Sequence, residues 1–279
     1  MVIAVASGKG GTGKTTLACA LARALSPEVA LVDCDVEEPN CALFLKPEIN
    51  KEVLFSVPLP VINTSLCNGC GKCQGICEYN ALKVFNKKPV LFDHLCHSCG
   101  GCALICPQKA ITEDSRPVGK IRIGKFNGSF FCDGVMNLGE PTPVRLIKAV
   151  KKLAPPDKDI IIDCPPGTSC PMIAAVEGAD FCLLVSEPTP FGLSDLKLAV
   201  ETIEKLNIPI AVVINKYDIG NDEMEKWCNN KGIDIILKIP FDRNIAQSYS
   251  RGETLVVSRP EYLSILRKIF ADIKERKKK

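Results

Sequence analysis

Histidine is nearly absent from this sequence of 279 residues, which has two histidines, one tryptophan and 6% aromatic residues. Both histidines fall at positions 94 and 97, so acid–base catalysis by histidine is excluded from the rest of the chain. No apolar run approaches the roughly 18 residues of a membrane-spanning helix, and the first residues lack the pattern of a secretion signal. We therefore expect a cytoplasmic protein without membrane association.

Neither sign of charge dominates the sequence. The 35 Lys and Arg residues against 32 Asp and Glu give a formal charge of +3. This near balance argues against nucleic-acid binding by bulk charge. Hydrophobic residues make up 46% of the chain, which excludes extensive disorder and predicts a sizeable core.

Cysteine, in contrast, is abundant, with 16 residues. Eight of them form two runs of identical spacing, C-x2-C-x2-C-x3-C, and the second run begins 29 residues after the first. The runs are Cys67, Cys70, Cys73 and Cys77, then Cys96, Cys99, Cys102 and Cys106. In a cytoplasmic chain this pattern indicates metal or redox chemistry rather than disulfides. Zinc knuckles or unrelated buried cysteines are the alternatives, although two complete, identical runs argue against both.

The two runs resemble the bacterial two-cluster ferredoxin, in which the fourth cysteine of each run binds the other cluster. Small residues, among them Gly69, Gly71, Gly100 and Gly101, would let backbone amides approach the sulfides. Glu78 stands where the first run of that family usually has proline. The resemblance implies two [4Fe–4S] clusters: one on Cys67, Cys70, Cys73 and Cys106, the other on Cys77, Cys96, Cys99 and Cys102.

The N-terminal segment predicts a phosphate-binding loop. A short apolar strand over residues 3–6 and an apolar helical stretch from Leu17 flank the sequence GKGGTGKT. Backbone amides and a helix N-terminus in this order hold anionic phosphates. Lys14 is expected on the β- and γ-phosphates and Thr15 on Mg²⁺. The expected nucleotide ligands are Gly8, Gly10, Gly11, Thr12, Gly13, Lys14, Thr15 and Thr16.

Lys9, directly after the first glycine, makes this loop similar to the deviant phosphate loop of the MinD/Mrp/nitrogenase iron protein group. The resemblance implies that Lys9 reaches the partner's nucleotide in an ATP-sandwiched homodimer, or in a heterodimer with a paralogue. It further implies that Asp35 orients the attacking water and that Asp33 is a switch residue near Mg²⁺. Asp163 would bind the Mg²⁺ shell, and the amide of Gly167 would sense the γ-phosphate.

Further motifs of this group follow toward the C-terminus. The resemblance implies that Asn215, at the end of an apolar strand, hydrogen-bonds adenine; a strand-end turn is the alternative. Pro240 and Asp242 resemble the motif that closes over the base. Cys170 could form one arm of a cluster bridging two subunits, although most single cysteines are small buried hydrophobes.

Alternating apolar strands and helices predict an α/β fold, a mostly parallel P-loop NTPase sheet covered by helices on both faces. The cysteine runs interrupt it as an α+β ferredoxin-like insert. We expect a discontinuous ATPase domain over 1–59 and 118–279 and an inserted iron–sulfur domain over 60–117. The C-terminal amphipathic stretch is expected to dock on the core, with a membrane-surface helix as the alternative.

The whole chain resembles MinD-superfamily ATPases that carry an inserted ferredoxin domain. The resemblance implies a slow, partner-stimulated ATPase whose cofactors are ATP or ADP, Mg²⁺ and two [4Fe–4S] clusters. Our first hypothesis is that a nucleotide-driven dimer gates electron transfer to a redox or acceptor protein. The alternatives are an iron–sulfur cluster carrier or assembly ATPase, and a redox-sensing MinD/ParA-like positioning ATPase.

Overall fold

The computed structural model describes residues 1–276, which divide into two units. The first, here the P-loop unit, comprises Met1–Glu52, Ile121–Val135 and the residues from Val144 onward. The second, the cysteine unit, comprises Val53–Lys120 and Met136–Pro143. The stretch 60–117, expected to be an insert, falls inside the cysteine unit, which extends beyond it on both sides.

Nine strands form one sheet. They are β1 (Val2–Ala6), β2 (Val29–Asp33), β3 (Glu48–Ile62), β6 (Ile111–Phe126), β7 (Ser129–Met136), β8 (Asp159–Asp163), β9 (Phe181–Ser186), β10 (Ile210–Asn215) and β11 (Ile235–Ile239). Their order in the sheet is β11-β10-β9-β1-β8-β2-β7-β6-β3. Every neighbouring pair from β11 to β7 in this order is parallel, which confirms the mostly parallel α/β sheet.

Helices pack against this sheet. Ile3 and Val5 of β1 belong to the core beside the first and last helices, while Ala4 between them is fully buried on the opposite face. Strands buried on both faces are typical of a parallel sheet between helical layers. The helices of the P-loop unit are α1 (Lys14–Ala24), α2 (Cys41–Leu45), α5 (Val144–Lys151), α6 (Cys170–Val176), α7 (Pro190–Glu204), α8 (Glu223–Lys231), α9 (Arg243–Ser250), α10 (Leu255–Ser258) and α11 (Glu261–Arg276).

In this part of the chain the sequence pattern predicts a strand only over residues 119–126. It therefore misses β3, β7 and the first half of β6. Most of β3 is exposed, so it lacks the buried alternation by which a strand is predicted. The β6–β7 hairpin turns at Asn127-Gly128, two residues with positive φ. Asn-Gly is the dipeptide that a type I′ turn favours, so a local signal was present.

The C-terminal helix α11 docks on the core, as expected. Tyr262, Leu266, Phe270 and Ile273 are buried and belong to the main hydrophobic core. No helix within residues 1–276 is long and apolar enough to cross a membrane. The end of the basic tail, Lys277 to Lys279, lies outside the described residues.

Replacing Leu266 with alanine should destabilise the protein by about 2–5 kcal/mol, because a fully buried leucine leaves a cavity. The matched control is Ile265→Ala, one residue away on the same helix but 39% exposed. Thermal unfolding by calorimetry measures both. Equal shifts in the two variants would contradict the docking of α11.

The cysteine unit repeats itself with the 29-residue period of the sequence. Helices α3 (Lys72–Ile76) and α4 (Gly101–Ile105) each follow a glycine in the left-handed region, Gly71 and Gly100, both with φ of 77°. Strands β4 (Leu82–Phe85) and β5 (Lys88–Leu91) form an antiparallel pair, and the start of β6 is the counterpart of β4.

Backbone hydrogen bonds follow the same repeat. The amide of Cys77 donates to Gln74 and that of Cys106 to Ala103. The amide of Phe92 donates to Ala81, and its counterpart Asn63 donates to Ala110. The last two bonds join each half to the segment that precedes the other half. The duplicated pattern of the sequence is therefore also a duplicated backbone.

Candidate functional site

The P-loop joins β1 to α1 at the carboxyl end of the parallel sheet. Gly11 and Gly13 have φ of 79° and 96°, so both lie in the region that disfavours side chains. A Cβ on Gly13 would lie 2.5 Å from Nδ2 of Asn215. The Thr12 hydroxyl oxygen is buried and has no hydrogen-bond partner within the described chain. The loop thus offers amides and an unpaired hydroxyl, groups that fit an anionic phosphate.

Lys14 lies at the centre of a buried charged cluster. Its Nζ is 3.0 Å from Oδ1 of Asp163 and 3.5 Å from Oδ2 of Asp35, and it donates to Oγ1 of Thr15 at 3.3 Å. Burial would lower the pKa of Lys14, but Asp163, Asp35 and Asp33 together raise it above its ordinary value. Lys14 therefore stays charged, as contact with phosphates requires.

Two of these acids, Asp33 and Asp163, are fully buried. Asp33 accepts hydrogen bonds from the amides of Asp35 and Cys41, both at 3.0 Å. Burial, and then the charge of Asp163, raises the pKa of Asp33 well above its usual range. The Mg²⁺ expectation is chemically reasonable here, because Thr15 and Asp163 provide oxygen ligands beside the P-loop.

Cys41 is the site residue that the sequence did not reveal. Its Sγ donates to Oδ2 of Asp163 at 3.3 Å, and each of Asp33, Cys41 and Asp163 offers a ligand atom within 4.8 Å of the others. Cys41 and Asp163 are 122 residues apart. No local pattern signals such a contact.

Asp35 gives the site a measurable pH dependence. Burial raises its pKa from 3.8 to about 6, the charge of Lys14 opposes the rise, and that of Asp163 adds to it. The folded state therefore binds this proton more tightly than the unfolded chain. Ionising Asp35 destabilises the fold by about 2–3 kcal/mol as pH rises from about 4 to 6, and the penalty is fully present above that window.

Asp35→Asn should remove this penalty. The stability of Asp35→Asn relative to wild type is expected to increase between pH 4 and pH 6, because asparagine has no proton to lose. Thermal unfolding midpoints at several pH values measure the difference. Changing the exposed acid Asp272 to asparagine is the control for the general effect of removing a carboxylate. A stability difference for Asp35→Asn that does not change between pH 4 and pH 6 would refute the raised pKa.

A cleft of about 510 Å³ opens over the P-loop, within the size range of small-molecule sites. One end is polar and is lined by Gly10, Gly11, Gly13, Lys14, Thr15, Thr16 and Asp35. The other end carries apolar groups, namely Ile239, Pro240, Phe241, Ile245, Tyr249 and Leu255. A polar end for phosphates and an apolar end for a base fit a nucleotide. Half of these apolar residues, Ile245, Tyr249 and Leu255, lie on α9 and α10, two helices that the sequence pattern did not predict.

The three residues expected near the base, Asn215, Pro240 and Asp242, all line this cleft. Nδ2 of Asn215 donates to the carbonyl of Thr12 at 2.9 Å, so Asn215 also braces the P-loop. Asp242 caps α9 by accepting from the amide of Asn244, and its carboxylate pairs with Arg259. Contact of these residues with adenine stays a prediction.

The remaining expected residues lie around the loop. The carbonyl of Lys9 accepts from Oγ of Ser7 at 2.8 Å, and the amide of Gly167 donates to the carbonyl of Ser7 at 2.9 Å. Gly8 packs so closely on α7 that a Cβ would lie 2.3 Å from the carbonyl oxygen of Asp195. The backbone of Gly167 is therefore hydrogen-bonded directly to the start of the P-loop.

The cysteine unit contains two cavities, each lined by four of the eight cysteines. Cys67, Cys70, Cys73 and Cys106 line the first cavity. Cys77, Cys96, Cys99 and Cys102 line the second. In each cavity three cysteines come from one run and the fourth from the other run. We call these the first and second cysteine sites.

The sulfur spacing in these sites bears on the zinc alternative. Tetrahedral zinc with Zn–S bonds of about 2.3 Å brings sulfurs to about 3.8 Å from one another. Among residues 1–276, no three of the eight sulfurs lie within 4.8 Å of one another. Backbone amides of Ser98 and Ala110 donate to the sulfurs of Cys96 and Cys106, at 3.4 and 3.3 Å. Cysteine sulfurs that do not come together in threes fit a polynuclear cluster better than one zinc ion.

The P-loop lies between β1 and α1, and buried acids lie at the ends of neighbouring strands. This arrangement defines a P-loop nucleotide-binding protein of the α/β class. The family model of the CobQ/CobB/MinD/ParA nucleotide binding domain matches residues 3–256. The chain belongs to this family.

Relatives extend over nearly the whole chain. An uncharacterized protein of Methanocaldococcus jannaschii is 34% identical over 92% of this chain and 91% of its own length. An iron–sulfur cluster carrier protein of Aquifex aeolicus is 25% identical over 99% of this chain and 68% of its own length. The septum site-determining protein MinD of Pyrococcus horikoshii, solved with Mg-ADP, has the same fold, with a TM-score of 0.58, 19% identity and coverage of 96% and 95%.

Proposed function

We propose that this chain is a nucleotide-dependent iron–sulfur carrier or assembly ATPase that binds two [4Fe–4S] clusters on an inserted ferredoxin-like unit. The two sites of four cysteines, each completed by a cysteine from the other run, support the binding of two clusters. The observation that carries the carrier function is the similarity, over nearly the whole chain, to an iron–sulfur cluster carrier protein. The first hypothesis from the sequence was electron transfer. The similarity to a named carrier protein favours the carrier alternative over it.

Within this proposal the P-loop unit binds MgATP and hydrolyses it. Lys14 and the loop amides would hold the phosphates, Thr15 and Asp163 the Mg²⁺ shell, and Asp35 would orient the attacking water. Lys9 would complete the site of a second subunit, either another copy or a paralogue. Phosphoryl transfer relies mainly on such positioning and electrostatics, which agrees with a nucleotide site that contains no histidine.

In the cysteine unit, Cys67, Cys70, Cys73 and Cys106 would hold one cluster and Cys77, Cys96, Cys99 and Cys102 the other. Transfer to an acceptor protein replaces the four thiolates of this chain with four thiolates of the acceptor. No net electron is gained or lost in that exchange. The acceptor must therefore be a protein with free cysteines.

Electron transfer is the second candidate function. Two complete four-cysteine sites favour it, because each cluster would be fully ligated within this chain and needs no partner to be held. The positioning ATPase has less support, because the apolar residues of α11 that would face a membrane are buried in the core.

The experiment mixes anaerobically purified protein with an apo-ferredoxin acceptor, with MgATP, with MgADP or without nucleotide. A carrier ATPase should load the acceptor faster with MgATP, as monitored by the circular dichroism of the acceptor's cluster. If no cluster moves, reduction potentials are measured by EPR with and without MgATP. A nucleotide-dependent potential would then support electron transfer, and an unchanged potential would contradict both functions.

A further inference from the structure

The two cysteine sites share one backbone pattern but differ in one pair of side chains. At the second site Tyr79 and His97 stack with ring centroids 3.5 Å apart and an interplanar angle of 7°. Both rings line the second site. The 29-residue repeat places Gln108 and Asn68 at the corresponding positions, where they line the first site.

The second site combines Cys77 of the first run with three cysteines of the second run, and the stack connects these two segments. Tyr79 lies two residues after Cys77, the cysteine supplied by the first run. His97 lies directly after Cys96, the first cysteine of the second run. A contact between Tyr79 and His97 therefore links Cys77 to the loop that carries Cys96, Cys99 and Cys102. We call Cys77 and Cys106 the crossing cysteines, because each run supplies one of them to the site of the other run.

The first site has no equivalent link. Neither Asn68 nor Gln108 has a ring, so the same stack cannot form. Asn68 and Gln108 are both exposed, whereas at the second site His97 is partly buried and Tyr79 is exposed. Oδ1 of Asn68 accepts from the amide of Cys70 within its own loop. Cys106, the crossing cysteine of the first site, is thus held without an aromatic contact to that loop.

We propose that the two clusters are unequal: the Tyr79–His97 stack retains the cluster of the second site, and the cluster of the first site is the one surrendered. This inference rests on the proposed function, because it requires both sites to hold a cluster. Acceptor thiolates or a chelator must displace the Tyr79–His97 stack to reach the second site, whereas the first site has no such stack. Tyr79 and His97 are positioning residues, since they act through the cysteines next to them.

The test follows iron release from the anaerobic full-length protein to a ferrous-iron chelator by absorbance. Aromatic pairing predicts two phases of equal amplitude whose rates differ about three- to tenfold. Variant Cys99→Ala, which disables the second site, should show only the fast phase. Variant Cys70→Ala, which disables the first site, should show only the slow phase.

Variants of the stack carry the test further. Tyr79→Ala should bring the slow phase to the rate of the fast phase, while Tyr79→Phe keeps the ring and should restore the slow phase. Since Tyr79 is 46% exposed, its replacement should not disturb folding. The reciprocal double variant, Asn68→His with Gln108→Tyr, should slow the fast phase. Mössbauer spectra before and after the fast phase report directly how much cluster remains.

A single release phase in the wild type, or a slow phase unchanged in Tyr79→Ala, would overturn this inference and leave the proposed function intact. Iron content well below two clusters before the chelator is added would overturn both. Two phases with the stated variant effects, but without transfer to any acceptor, would contradict the carrier function alone.

Discussion

Replacing Lys14 with alanine is expected to lower the rate of ATP hydrolysis at least about 100- to 1,000-fold, because one preorganised cation is lost from the phosphate site. Nζ of Lys14 is also the counter-charge of Asp163, which is fully buried, and of Asp35. The change should therefore cost about 3–5 kcal/mol of stability as well. Phosphate release measures hydrolysis, and calorimetry measures stability.

The same Lys14→Ala protein should keep its full iron content, because no cysteine ligand is changed. Lys226→Ala, which removes an exposed lysine paired with Asp222, is the matched control and should hydrolyse ATP normally. Wild-type hydrolysis by Lys14→Ala would contradict its role at the phosphates. Loss of iron together with hydrolysis would show that the two units do not fold independently of one another.

A second large loss, of iron, is expected when either crossing cysteine, Cys77 or Cys106, is replaced. Cys106→Ala should remove one cluster, about half of the iron, and its EPR spectrum should match that of Cys67→Ala. It should differ from that of Cys96→Ala, although Cys106 and Cys96 belong to the same run. The reason is geometric, since Cys106 lines the cavity of Cys67, Cys70 and Cys73.

Cys77→Ala provides the reciprocal case and should match Cys96→Ala. The control is Cys170→Ala, an exposed cysteine in the P-loop unit, which should leave the iron content unchanged. A Cys106→Ala spectrum that matches Cys96→Ala would show that each run binds its own cluster. Loss of iron in Cys170→Ala would reveal a further ligand.

The local parts of this architecture could be predicted from sequence. The phosphate loop is a contiguous motif between a strand and a helix, and the structure places β1 and α1 on either side of it. The 29-residue cysteine repeat is also visible in the sequence, and helices α3 and α4 begin 29 residues apart. In both cases the chemistry depends on short spacings along the chain.

Non-local parts could not be predicted in the same way. The contact of Cys41 with Asp163 and that of Asn215 with Thr12 each join segments far apart in sequence. Strand β3 is mostly exposed, so burial gave it no periodic pattern. The stack of Tyr79 on His97 becomes apparent only when the two halves of the repeat are in place.

The proposed function requires that the first and second cysteine sites each bind a [4Fe–4S] cluster. Iron and acid-labile sulfide analysis of the anaerobically purified protein, combined with its Mössbauer spectrum, tests this requirement. We expect about eight iron and eight sulfide per chain, with the spectrum of two [4Fe–4S] clusters. A protein that contains zinc and no labile sulfide would contradict the binding of iron–sulfur clusters.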